Sequence, residues 1–165
     1  MLRLLAPILL AASPALAEGF ALRDLSGLPT DGTLAGGGDY IGRAEPQRLT
    51  LMCPTCEGGP MIDVALGRQT DGTEERLRSG QTTIADLEAL CRAREESCRI
   101  EALEAGPGVG WISRYGLGGG QAGATAVVLR DGDMLTIRVI GSDPDAVGAV
   151  AARVAAAVVP RVVGD

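Results

Sequence analysis

Apolar and polar positions alternate on both sides of Asp131-Gly132, from Ala124 to Ile140. Asp and Gly tolerate the positive φ of a type I′ turn, so the dipeptide predicts two strands joined by a two-residue loop. Such a loop sets the register: Arg130 opposite Asp133, Val128 opposite Leu135, Ala126 opposite Ile137 and Ala124 opposite Val139. One face of the hairpin is then apolar and closed at its turn by a charge pair. The other mixes Thr125, Thr136 and Arg138 with Val127, Leu129 and Met134 and is half polar, a pattern that suits partial cover. Ser142-Asp143-Pro144 then supplies a cap and a first-turn proline. Val147, Val150, Val154 and Val158 mark one face of a helix expected to end before Pro160.

Upstream, the runs Tyr40–Arg43, Arg48–Met52 and Met61–Leu66 are strand-length, and the last two flank Cys53-Pro-Thr-Cys56-Glu-Gly-Gly-Pro60, a hairpin connection by its turn residues. Thr83 with Asp86 three positions on predicts a capped helix carrying Ile84, Leu87, Leu90 and Cys91. Past Ser97 the period drops to two, with Cys98, Ile100 and Ala102 on one face, and a further strand follows at Trp111–Leu117. Strands, helix, strands, helix with hairpin-length links predict an α+β domain over residues 40–165, an antiparallel sheet with two main helices packed on it. Residues 18–39, rich in Gly, Pro, Ser, Asp and Thr and without a sustained period, read as a mobile or loosely docked arm. The closing hairpin at Ala124–Ile140 with the capped helix to Val159, and the order of the earlier elements, resemble PsbP-like domains. That resemblance implies an α/β/α sandwich of a kind that serves mostly in binding or assembly.

The first seventeen residues combine Arg3, an apolar stretch Leu4–Ala12 and the small residues Ala15 and Ala17, the pattern of a secretory signal peptide cut after Ala17. Pro7 and Pro14 interrupt the apolar run, which falls short of the ~20 residues that span a bilayer. The mature chain is therefore expected to begin at Glu18, in a bacterial periplasm, with no membrane span after cleavage.

Composition narrows the chemistry. The chain of 165 residues carries a net charge of −6, which loss of Arg3 takes to −7, and this disfavours nucleic acid as a partner. Every basic residue is Arg; there is no Lys, His or Asn. Ser-His-Asp and Cys-His pairs, Schiff-base lysines, P-loop lysines and histidine-bound metals are thereby excluded.

Four cysteines in an exported chain point to two disulfides. The preferred pairing is Cys53–Cys56 with Cys91–Cys98, and the second requires the helix to end between its members. In a continuous helix they would lie about 10.5 Å apart, beyond the ~7 Å limit on Cα separation. Cys53-Pro-Thr-Cys56 has two further readings. As a redox site it lacks the helix N-terminus that activates a thiol, and the nearest cation in sequence, Arg48, is about 16 Å of extended chain away. As a metal knuckle it resembles the turn of a zinc ribbon without a second knuckle; soft copper could use Cys53 and Cys56 with Met52 or Met61. No cofactor is called for.

Gly118–Gly123 matches G-x-G-x-x-G, but a strand follows where a dinucleotide site needs a helix, so it reads as a hairpin loop. Glu95, Glu96, Glu101 and Glu104 among Arg92, Arg94 and Arg99 read as a solvated charged surface. Trp111 and Tyr115 share a strand face and are candidates for the floor of a ligand site, against core packing. The sequence thus supports a non-catalytic binding or assembly module for an unidentified protein or small molecule. Thiol exchange or soft-metal handling at Cys53 and Cys56 is the alternative.

Overall fold

The structure, a computed structural model, describes residues 19–164; the expected leader lies outside them. Seven strands form one antiparallel sheet: β1 Ile41–Glu45, β2 Arg48–Met52, β3 Met61–Arg68, β4 Arg99–Leu103, β5 Val109–Gly118, β6 Gln121–Arg130 and β7 Asp133–Gly141. Three helices accompany it: α1 Thr73–Arg78, α2 Ile84–Arg92 and α3 Pro144–Val163. Their arrangement is α+β, as the patterning predicts. Strand order is β1-β2-β3-β7-β6-β5-β4. After β3 the chain leaves the sheet for α1 and α2 and rejoins it at the far edge. The meander β4 to β7 then works back until β7 pairs with β3 along eight residues, Met61 opposite Ile140 through Arg68 opposite Asp133.

The β6–β7 hairpin has the expected register at all four positions, with φ of 52° at Asp131 and 80° at Gly132. Its closing charge pair is different from the one expected. Asp133 is instead bound by Arg68 of β3 at 2.7 Å and Arg23 at 3.1 Å. Arg130 turns to the end of α3 and donates to the Val163 carbonyl at 2.5 Å. Two causes apply: Arg68 stands directly opposite Asp133 in the ladder, and the last helical carbonyls attract a cation.

On one face of the sheet α3 packs on β5, β6 and β7, with Val147, Val154, Val158 and Val162 buried in one core with Leu135, Ile137 and Val139, a core that Leu49, Leu51, Ile62 and Val64 extend across β2 and β3. Ala122, Ala124 and Ala126 of β6 are all buried, and their small side chains let the helix lie close. The expected stop before Pro160 does not occur. Val162 and Val163 are fully buried, and that burial carries the helix one turn further. Ala156, whose carbonyl the Pro160 ring leaves without a donor, is exposed and open to water. Although α3 is long and apolar enough to cross a membrane by length and composition, 56% of its apolar window is buried inside the fold.

Residues 19–39 are docked on the fold: Phe20, Leu25, Leu28, Leu34 and Ala35 enter the core, and Leu22 N–H donates to the Val162 carbonyl at 3.0 Å. The apolar residues among them are spaced irregularly because they fill gaps left by α3 and the sheet rather than forming a face of their own. The 3-10 turn Gly32–Ala35 rests on α3, with Arg153 Nε donating to the Ala35 carbonyl at 2.8 Å.

Candidate functional site

Strand alternation places Leu49, Leu51, Ile62 and Val64 in the buried core, so their neighbours along the strands look the other way. The register then assembles a row that no local stretch of sequence announces. Ile41 is opposite Met52, Met52 opposite Met61, Met61 opposite Ile140, Ile140 opposite Gly123 and Gly123 opposite Tyr115. Ile41 is 62% exposed, Met52 45% and Met61 36%, three of the five exposed large hydrophobic side chains among the described residues. Beside this row runs a polar one, Arg43, Thr50, Asp63, Arg138 and Thr125. Arg48 is held by Asp63 at 2.5 Å and Arg43 by Glu45 at 2.8 Å. Arg138 is exposed and has neither a side-chain hydrogen bond nor an ion pair among the described residues. The face is open over β1, β2, β3 and β7. Towards β4 the chain of α2 is attached on the side of Ile100: Cys91 is bonded to Cys98, and Glu88 accepts the Ile100 N–H at 2.8 Å.

Both expected disulfides are formed, with Cα separations of 5.3 Å for Cys53–Cys56 and 5.9 Å for Cys91–Cys98. For the second, α2 ends at Arg92, between its two cysteines, as the bond requires. Thr83 and Asp86 form the expected reciprocal cap. For the first, the hairpin connection is confirmed by Met52 opposite Met61 and by Cys53 N–H donating to the Pro60 carbonyl at 3.1 Å. Cys53 is 1% exposed, whereas Cys56 is partly open to solvent.

Cys56 borders a cavity of about 380 Å³ together with Tyr40, Glu57, Pro60, Val150 and Arg153. Arg153 is the cation that sequence distance conceals, since α3 brings it across 97 positions; Arg48, nearer in sequence, is occupied by Asp63 on the open face. Burial pushes the Tyr40 phenol above its ordinary range, and the positive charge of Arg153 pulls it part of the way back. Gly38 is pressed against the disulfide, where a β-carbon would meet Cys56 Sγ at 3.0 Å.

The four sulfurs of the soft-metal reading do not converge. Cys53 is buried, while Met52, the adjacent residue, points to the open face with Met61. Trp111 and Tyr115 share a strand face, yet they border different cavities. Trp111 is beside Thr83, Ile84 and Ala102, and Tyr115 beside Arg99, Arg114 and Gln121. Tyr115 is fixed by a 2.8 Å hydrogen bond to Thr125 Oγ1, with its ring over Gly123. Gly118, Gly119 and Gly120 have φ of 77°, 61° and 76° and turn β5 into β6, so the glycine motif is a hairpin loop. Of the charged residues near α2, Glu101 pairs with Arg114 across strands, and Glu95 accepts from Ser97 Oγ at 2.8 Å.

No protein-family model, curated protein or solved structure matches the chain significantly.

Proposed function

We propose that the protein is an exported, non-catalytic binding module, stabilised by its two disulfides, that takes its partner on the open face of the sheet. The observation that carries this reading is the row Ile41–Met52–Met61–Ile140, apolar side chains aligned across four strands and exposed at Ile41, Met52 and Met61, while the opposite face is buried in the core. Contiguous exposed apolar surface rimmed by polar groups marks interaction sites. Methionine adapts its shape to a partner at small cost. The likeness of the closing hairpin and helix to PsbP-like domains supports the same class, and the two disulfides are consistent with an oxidising compartment.

Site-specific photocrosslinking in cells tests the reading. A photoreactive residue at Met52 or Met61 is expected to yield a crosslinked product of one defined mass, and the same residue at Ala156, on the exposed side of α3, none. Equal labelling at all three positions, or none in the open row, contradicts it.

A second reading, thiol exchange at Cys53–Cys56, is favoured by one observation: Cys56, the accessible sulfur, shares its cavity with Arg153. A cation beside a sulfur lowers the cost of a thiolate. Against it stands the burial of Cys53, which leaves only one sulfur of the pair within reach of a partner thiol.

A further inference from the structure

Where the chain leaves the sheet between β3 and β4, its two helices cover the β4 end of the sheet without closing on it. Helix α1 lies against β5 and α2 against β4, yet neither buries any residue fully, whereas α3 on the opposite face buries Val147, Val154 and Val158. Between the two helices and these strands is a cavity of about 380 Å³, within the ~300–1,000 Å³ of small-molecule sites. Leu77 of α1, Ile84 of α2, Leu103 of β4 and Val109 and Trp111 of β5 line it, and all five are half-buried. Ala102 stands directly opposite Trp111 in the ladder, and its small side chain leaves room beside the indole. Protein interiors are packed as densely as organic crystals, so a space of this size between apolar elements is not ordinary core. The Cys91–Cys98 bond anchors the last turn of α2, while Ile84, in its first turn, stands at the cavity.

We infer that this cavity binds a small uncharged apolar molecule against Trp111, at a site separate from the open face. Half-buried apolar side chains on every wall are what such a molecule needs, and its binding removes their remaining surface from water. The charges disfavour the other classes. None of the lining residues is basic; Glu104 is acidic, exposed, and without a side-chain hydrogen bond or ion pair among the described residues, so an anion meets repulsion and no counter-charge. A cation would have only that exposed, water-screened carboxylate to set against its lost hydration. Polar direction is sparse. The Thr83 hydroxyl is committed to Asp86 in the cap of α2, which leaves the Thr82 hydroxyl, unpartnered among the described residues, to orient one polar atom of the guest. Ile41, Met52, Met61 and Ile140 take no part in the cavity, so its occupancy does not depend on the open row.

Trp111 is the chain's one tryptophan, so its emission reports on the cavity without further labelling. The purified protein is titrated with phenylnaphthylamine, a neutral fluorophore that accepts energy from tryptophan, and with anilinonaphthalene sulfonate, an anionic relative. Saturable transfer from Trp111 to the neutral probe is expected, with weaker binding of the anionic one. Ala102→Leu, which puts a side chain into the space beside the indole, should weaken the neutral probe by about tenfold or more and melt at or above the wild-type temperature, as filled space does. If that chain melts lower, Leu77→Gln, on the helical wall, is read in its place with the same expected loss. Met61→Gln, on the open row, should leave probe binding as it is. Absence of saturable transfer, wild-type affinity in the cavity variant, or anionic binding as tight as neutral overturns the site. Loss of transfer in Met61→Gln also overturns it, by placing the probe on the open row, and leaves the reading of that face standing.

Discussion

At Gly123 a β-carbon would lie 2.6 Å from Tyr115 Cε2 and 2.9 Å from Cζ, so the tyrosine ring occupies the space that any side chain would need. Gly123→Ala is expected to destabilise the domain by about 1–3 kcal/mol, the usual cost of overpacking. Thermal melts should show most of that loss recovered when Tyr115 is truncated to Ala in the same chain; an additive double mutant contradicts the contact. Tyr40 poses a different test. A phenol whose folded pKa is raised contributes stability that is complete below about pH 10 and is lost as pH rises through the folded value. The ultraviolet difference between wild type and Tyr40→Phe should therefore show a phenolate forming only above the ordinary range, because burial opposes its charge. A Tyr40 phenolate at or below pH 10 would show that the ring is not enclosed as described. Neither residue's role is legible from its neighbours in sequence. Tyr115 meets Gly123 across a ladder, and Arg153 reaches Tyr40 from the far end of the chain.

Among the elements, α2 depends most on a covalent bond. It buries no residue fully and is held to β4 by Cys91–Cys98 and by Glu88. Replacing Cys91 and Cys98 by Ser is expected to cost about 2–4 kcal/mol, nearer the lower figure because the loop is short. Hydrogen exchange should then lose protection in α2 while β6 and β7 keep theirs; an unchanged melting temperature contradicts the staple. Where local chemistry decides an element, the sequence is readable. Asp131-Gly132 sets a register of four pairs, and the Thr83–Asp86 cap marks the first turn of α2. Elements decided by distant partners are not. Helix α1 has no buried residue and hence no periodicity; it is built from a Glu74–Arg78 pair at 2.8 Å and a turn in which Asp71 accepts the Thr73 N–H. The docking of residues 19–39 and the last turn of α3 past Pro160 both follow from burial against strands far away in sequence. For the same reason Met52 and Met61 read as possible metal ligands beside Cys53, whereas alternation sends them to the opposite side of the sheet.

Over the whole molecule, acidic groups hold many of the turns. Asp24, Asp31, Asp71 and Glu95 are kept below their ordinary pKa first by side-chain hydrogen bonds from Ser26, Thr33, Thr73 and Ser97. Asp86 is lowered first by the backbone N–H of Thr83. Carboxylates with depressed folded values contribute stability that is complete above the unfolded range near pH 4 and is lost as pH falls through the folded values. The urea midpoint should thus hold steady down to about pH 5 and decline below about pH 4. A midpoint that rises on acidification would contradict this assignment of the turns.

On the proposed reading the protein binds at its open face and does not exchange thiols, and the cysteines test that division most directly. All four should be blocked in protein taken from the exporting cell, and titration with a mild dithiol should leave both pairs oxidised down to about −300 mV, the range of structural disulfides. A Cys53–Cys56 pair that is reduced near −200 mV, with Cys56 the first sulfur to be alkylated, would contradict it and make the cavity of Tyr40 and Arg153 the working site.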